Sequence, residues 1–316
     1  MSTRKEIDGL AIITVTSICL IWGLQQVFVK AVAADMPPVL QIALRAGIAM
    51  LLLATVMRYR KEPLISPHTW RPGLAAGVLF ALEFFLVGEG LRYTNASHMV
   101  VFLYSTPIFV ALGLHFTVVA ERLTPLQWLG ILLAFSGIAL VFLWRDTGSS
   151  PAALEMLWGD LLAILAAVSW AATTVLVRST TLANAPATQT LFYQLAACFV
   201  LVLITAIISN QATFTLTTAV AANLLFQGIV VSFASLLLWF WLLRQYPAST
   251  LGVFTFMTPI FGTLFGILIL DEALDQSFIF GAIMVMGGIL TVNRHTQIRR
   301  ILLRKTPAES GENCMH

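Results

Sequence analysis

Charge is what this sequence has least of. Lys, Arg, Asp and Glu together supply 10% of its 316 residues, where a soluble domain carries roughly 25%. So few charges cannot make a water-facing surface, so lipid must cover most of the chain. A net charge of +3 gives no ground for a nucleic-acid partner. Cysteine is scarce as well. Cys19, Cys198 and Cys314 have no metal-ligand spacing and two lie inside apolar runs, so neither a disulfide framework nor a metal site follows. A Walker-type Gly-rich phosphate loop is missing, which argues against ATP hydrolysis, and no cofactor is expected. Also missing is a cluster of Asp, Glu or His at a membrane face, which an enzyme acting on lipid-like substrates would need. Long polar linkers are absent too, which leaves no room for a separate soluble domain.

What fills the chain is apolar sequence, 59% of residues. A helix needs about 20 apolar residues to cross the hydrocarbon core, and ten such runs can be read. They lie near 10–30, 39–57, 73–92, 97–118, 126–144, 159–178, 188–209, 222–243, 248–270 and 278–293. The joints hold the breakers, such as Met36-Pro37-Pro38, Ser66-Pro67, Thr124-Pro125 and Ala185-Pro186. The first run follows Arg4 and Lys5, as a secretory signal would. It is too long for one, Gln25 and Gln26 interrupt it, and Lys30 sits where cleavage would fall, so it reads as a span.

Lys and Arg residues orient the spans. With the N-terminus cytoplasmic, fourteen of the eighteen fall in cytoplasmic segments and three (Lys30, Arg92 and Arg145) on the other side, with Arg45 inside a span. One missed helix would scramble that split. The expectation is a multi-pass plasma (inner) membrane protein with both termini cytoplasmic.

The chain also matches itself. Trp22, Val27, Val29 and Lys30 align with Trp170, Val175, Val177 and Arg178 at an offset of 148. Ala96-Ser97, Phe102 and Thr106-Pro107-Ile108-Phe109 meet Ala248-Ser249, Phe254 and Thr258-Pro259-Ile260-Phe261 at 152. Glu121, Gly130 and Gly137 meet Glu272, Gly281 and Gly288 at 151. The expected organisation is a first five-helix repeat over 1–147, a second over 148–294, and a basic cytoplasmic tail over 295–316 resting on anionic membrane lipids. Five spans per repeat put the second copy upside down relative to the first. Inverted repeats are the architecture of many secondary transporters, which hold substrate near the midplane and rock around it.

The second part of each repeat resembles the EamA domain of the drug/metabolite transporter superfamily. The resemblance rests on Ala96, Ser97, Pro107, Glu121, Gln127, Gly130 and Gly137. The second copy keeps Glu272 and both glycines but has Phe278 near the Gln position, and Ala120 and Asp271 stand where relatives commonly have Gly before the Glu. The resemblance covers nearly the whole chain and implies an exporter of amino acids, drugs or other metabolites.

Ionisable residues within spans mark functional sites by default. Arg45 and Glu89 lie roughly 9 and 5 Å below the outer surface at 1.5 Å per helical residue, and are expected to form a structural or gating ion pair. Glu83 lies roughly 14 Å down, near the midplane, on a different face of its helix. A lone carboxyl there suits proton binding or pairing with a substrate amine. Trp22, Gln25, Gln26, Tyr104, Trp170, Gln227, Ser235 and Trp239 are candidates to line the same cavity. Pro107 and Pro259 should kink spans four and nine.

The expected protein is therefore an all-α integral membrane protein of ten helices in two inverted five-helix repeats. Its expected work is secondary transport, as an exporter, of a small-molecule substrate such as an amino acid, with possible coupling to protons. The alternatives are a passive facilitator or channel and, further off, a membrane-embedded enzyme.

Overall fold

The computed structural model describes residues 8–117, 123–144, 151–246, 251 and 254–304. Helices carry the fold, and there is no strand among the described residues. Lipid offers backbone groups no hydrogen-bond partners, and a helix pairs its own. In order these are α1 (Gly9–Ala31), α2 (Pro38–Tyr59), α3 (Trp70–Tyr93), α4 (Ala96–Leu103), α5 (Thr106–Thr117), α6 (Pro125–Leu143), α7 (Pro151–Ser179) and α8 (Ala187–Ile208). Then come α9 (Thr218–Leu225), a π-helical segment (Phe226–Ser235), α10 (Leu236–Gln245), α11 (Met257–Leu270) and α12 (Gln276–Arg304). With α4 and α5 taken as one span, and α9 through the π segment to Trp239 as another, eight helices among the described residues are long and apolar enough to cross a membrane. Met257–Leu270 and Gln276–Val292 are shorter apolar helices. Leucines and isoleucines such as Leu129, Leu132, Leu268 and Ile283 face outward, as a lipid-covered surface requires.

Local chemistry sets the helix ends. The Asp8 carboxylate accepts from Ala11 N at 2.8 Å and starts α1. Thr124 and Gln127 form a capping box at α6, behind Pro125 in the first turn. The break between α4 and α5 comes just before Pro107. That proline has no N–H for the Leu103 carbonyl, and the Thr106 hydroxyl takes it instead at 2.6 Å. Span nine breaks correspondingly at Thr255–Phe256, ahead of Pro259. The α7 helix begins at Pro151, eight residues before the expected 159.

Close packing depends on glycine. A Cβ at Gly23 in α1 would fall 2.9 Å from the Gly262 nitrogen of α11. Where α6 packs on α12, a Cβ at Gly130 would meet the Gly288 carbonyl at 2.8 Å, and one at Gly137 the Gly281 carbonyl at 2.7 Å. As one number rises the other falls, so the two helices run antiparallel.

The two ends of the bundle are tied differently. At the end carrying Lys30, the ammonium donates to Leu91 O and Thr94 O at 2.6 and 2.7 Å, fastening α1 to α3. Asn223 of α9 donates to Gln41 of α2 at 2.7 Å, Thr215 N to Asp35 O at 2.9 Å, and Gln211 to Glu89 at 3.1 Å. At the end carrying Tyr246 the ties fall into two sets. One joins α2, α3, α8 and the turn before α8: Thr69 to Gln189 and Tyr193, Thr188 to Glu62, and Thr181 to His68 O. The other joins α1 to α10 and span nine: Tyr246 to Asp8, and the Cys19 thiol to Phe254 O. Ala120, Glu121, Ala248 and Ser249 of the repeat motif, and residues 305–316 of the tail, lie outside the described residues.

Candidate substrate cavity

A cavity of about 230 Å³ lies at mid-depth between α1, α2, α3, α7, α8 and the π segment with α10. Eight of the expected residues line it: Trp22, Gln25, Gln26, Arg45, Glu83, Tyr104, Trp170 and Trp239. Gln227 and Ser235 stand just behind the wall and hold residues that do face it. The Ser235 hydroxyl accepts from Trp22 Nε1 at 2.8 Å and donates to Val231 O at 2.6 Å. Trp22 sits edge-on to Trp239 at 5.5 Å, and Tyr104 edge-on to Trp170 at 5.6 Å, so two aromatic pairs contribute to the wall.

Arg45 is the cation of this chamber. It is 3% exposed, and its Nη1 donates to Gln227 Oε1 at 2.8 Å. Gln227 in turn donates to the Gln25 carbonyl at 2.8 Å. With its amide turned to satisfy its hydrogen bonds, Gln25 accepts from Arg45 Nη1 and Nη2 at 3.2 and 3.3 Å. The guanidinium also lies over the Phe84 ring, 4.7 Å from its centre. Glu83 is likewise 3% exposed, and its Oε2 has no hydrogen-bond partner among the described residues; nor has Gln26 Oε1. Buried polar atoms are almost always satisfied, so two orphans facing one cavity are what a polar guest would complete.

The expected Arg45–Glu89 ion pair is not formed. Glu89 takes Arg92, one turn on, and Gln211, while Arg45 turns inward to Gln227 and Gln25. The depths of the two residues suit a pair. Their directions around the helices do not, because Arg45 points into the cavity and Glu89 toward the rim of α3. Pro107 and Pro259 lie away from the lining, in the first turns after the two helix breaks.

Sequence reasoning missed several positions. Phe80, Phe84, Gln194, Cys198 and Ser232 line the cavity; Gln194 and Ser232 are polar residues inside spans, and polarity was the available signal. It missed more at the Lys30 end. There Asp160 and His98 are buried together, 0% and 1% exposed, with His98 Nδ1 3.0 Å from the carboxylate. The apolar run near 159–178 leaves Asp160 at its edge, whereas α7 begins at Pro151. Glu272 caps α4 through Ala96 N, Ser97 N and Ser97 Oγ at 2.6, 2.9 and 2.5 Å.

The model of the EamA-like transporter family matches this chain twice, over residues 9–143 and 157–294. The chain belongs to the EamA-like transporter family. It is thus a multi-pass membrane transporter. Among its relatives, the uncharacterized transporter YoaV of Bacillus subtilis is 25% identical over 90% of this chain and 97% of its own. The uncharacterized transporter sll0355 of Synechocystis is 29% identical over 88% of both. A Salmonella typhimurium protein named "Probable amino-acid metabolite efflux pump" is 24% identical over 93% of this chain and 96% of its own. A solved structure titled only "Crystal structure of protein" matches the fold with a TM-score of 0.63 at 21% identity, over 94% of this chain and 99% of the other.

Proposed function

We propose that this EamA-family chain is a secondary transporter that exports a small zwitterionic metabolite, such as an amino acid, by alternating access. The observation that carries the reading is one cavity holding both Arg45 and Glu83. Arg45 offers donors to a carboxylate. The unpartnered oxygen of Glu83 and the faces of Trp22, Tyr104 and Trp170 offer an ammonium its counter-charge and cation–π contact. At about 230 Å³ the chamber falls below the roughly 300–1,000 Å³ of drug-sized pockets, which favours a small guest. When empty, Glu83 is free to hold a proton that the substrate ammonium displaces, and export would then run against proton entry. The efflux-pump names among the relatives agree with this direction.

The architecture that goes with this reading is ten spans in two inverted repeats. The glycine contacts of α6 and α12 support it. Exchanging repeat partners (Gly130 for Gly281, Gly288 for Gly137) turns one contact into the other, as a two-fold axis across two antiparallel helices requires. With the Lys/Arg distribution setting both termini in the cytoplasm of an inner membrane, the Lys30 end faces outward. The hydrogen bonds that tie the Lys30 end then correspond to a carrier closed on its outer side.

The test is a thermal-stability screen of the purified protein, followed by flux in proteoliposomes. Free amino acids should raise Tm, while their methyl esters and the matching deaminated acids should not. Uphill movement driven by a proton gradient separates a coupled carrier from a facilitator. If esters or deaminated acids stabilise as well as zwitterions, the two-charge reading of the cavity is wrong.

A further inference from the structure

A carboxylate among aromatic faces suits two chemically different cations. A quaternary ammonium is held by the ring faces alone, through cation–π attraction. A protonated amine makes the same contact and also donates hydrogen bonds, three of them from a primary ammonium. Trp22, Tyr104 and Trp170, in one cavity with Glu83, admit either. The oxygens among them do not. Glu83 Oε2 and Gln26 Oε1 both lack a hydrogen-bond partner among the described residues, in side chains that the protein buries. The donors of the same wall are turned elsewhere, Trp22 Nε1 to Ser235 and the Arg45 guanidinium to Gln227 and Gln25. Gln26 and Glu83 also lie at depths that let them share one guest. Trp22, Gln26 and Lys30 follow at four-residue steps along α1, and so lie on one face of it. Lys30 reaches Leu91 O and Thr94 O at the end of α3, so α1 and α3 finish together and run parallel. At 1.5 Å per residue, Gln26 then lies about 6 Å below the Lys30 level and Glu83 about 12 Å below the Leu91 level. Two N–H···O bonds of about 2.9 Å from one tetrahedral nitrogen need acceptors roughly 4.7 Å apart. Two side chains of this length close the difference in depth.

We infer that Gln26 is a specificity-determining residue: its amide oxygen and the Glu83 carboxylate take two N–H bonds of one substrate ammonium, so the site selects primary and secondary ammonium ions over tertiary and quaternary ones. A primary or secondary ammonium has an N–H for each oxygen. A tertiary one leaves an oxygen without a donor, and a quaternary head seals both away from water with nothing to bond. A site built to hydrogen-bond an N–H rejects the analogue that lacks it, because its own polar atoms are then left unpaired. This inference rests on the zwitterion assigned to the cavity and adds to it the number of N–H bonds that the guest must carry.

The test varies that number at constant charge. Glycine, leucine, phenylalanine and glutamine are each compared with their N-methyl, N,N-dimethyl and N,N,N-trimethyl forms at pH 7, where every member carries one positive and one negative charge. Kd for the purified full-length protein is read by titration calorimetry. In a series that binds, affinity should fall about ten- to a hundredfold between the N-methyl and N,N-dimethyl forms, where one oxygen first loses its donor. Gln26→Met keeps the length of the side chain and removes the amide, which leaves Glu83 as the one acceptor. The drop should then move one methyl group on, to between the dimethyl and trimethyl forms. Gln26→Glu keeps an oxygen in place and should keep the drop where it was. Gln26→Leu makes the same comparison if the Met variant fails to fold. A parent without a drop at the dimethyl step overturns the inference before any variant is made. A drop that stays at that step in Gln26→Met is steric in origin and overturns it too. If none of the four series binds, the zwitterion reading itself fails. Binding that is indifferent to methylation leaves that reading standing and removes only the role of Gln26.

Discussion

A guanidinium surrounded by lipid-covered helices must find acceptors for its N–H groups inside the protein, because it stays charged under ordinary conditions. Arg45 finds them on two glutamines from distant parts of the chain, Gln227 and Gln25. Gln227 both accepts from Arg45 and donates to the Gln25 backbone, so it fixes where the cation points. Gln227→Leu should therefore lower stability by about 1–3 kcal/mol, the cost of leaving buried polar groups unsatisfied. It should also raise the KM for substrate more than it lowers the maximal rate. Chemical denaturation and proteoliposome flux read the two effects, and an unchanged KM would separate Arg45 from substrate binding. Glu83→Gln should keep the fold, since the amide makes most hydrogen bonds of a neutral acid, but should remove gradient-driven transport or its pH dependence. Transport at the parent rate with an unchanged pH profile would make Glu83 structural. Rise per residue was enough to place Glu83 near the midplane from sequence, but it set Arg45 nearer the depth of Glu89. It could not assign Arg45 its partner, because direction around a helix depends on which helices pack beside it. Glutamine partners from α1 and the π segment are invisible at that level.

At the scale of helices, the α6–α12 contact is where the fold allows least change. Gly288 of α12 faces the Gly130 carbonyl and the Ala134 backbone, whereas its neighbour Gly287 has only Leu133 Cδ2 within reach, at 3.6 Å from a built Cβ. Gly288→Ala should force the helices apart at a cost of about 1–3 kcal/mol, and Gly287→Ala should be close to neutral. Thermal melts of the two purified variants check this directly, and equal melting temperatures would mean that the helices do not approach as described. The spaced glycines and the prolines of spans four and nine were legible, because each forces a local geometry whatever surrounds it. The π segment was not. Phe226–Ser235 is ordinary apolar helix sequence with no proline, and its one buried amide, Gln227, is held by residues some 180–200 positions away. The early start of α7 was missed for another reason. Glu155 and Asp160 interrupt its apolar run, so hydropathy alone puts the start of the span near 159. The criterion of about 20 apolar residues sees hydropathy alone, while Pro151 in a first helical turn is the better sign.

Over the whole molecule, two sequence-related halves are packed unequally, and this inequality bears on how the protein works. In the first half α3 packs along both α7 and α8, from Gly73 against Tyr193 at the Tyr246 end to Glu89 with Gln211 at the Lys30 end. Its repeat counterpart, span eight, packs on α2 chiefly through the π segment, while α10 rests on α1. If both halves can adopt both arrangements, exchanging them yields a second state in which α10 closes on α2 and the Lys30 end of α3 leaves α8. The Glu89–Gln211 hydrogen bond then belongs to one state alone. Cysteines at Glu89 and Gln211, in a chain otherwise free of cysteine, should be joined efficiently by a short bis-methanethiosulfonate. The joined protein should bind substrate from the Tyr246 side with near-parent affinity, yet carry out no net transport until the link is reduced. Each single-cysteine variant treated alike should transport normally, which excludes simple modification as the cause. A cross-linked protein that still transports at the parent rate would mean that α3 and the segment after α8 move together, and the exchange of arrangements between repeats would have to be abandoned.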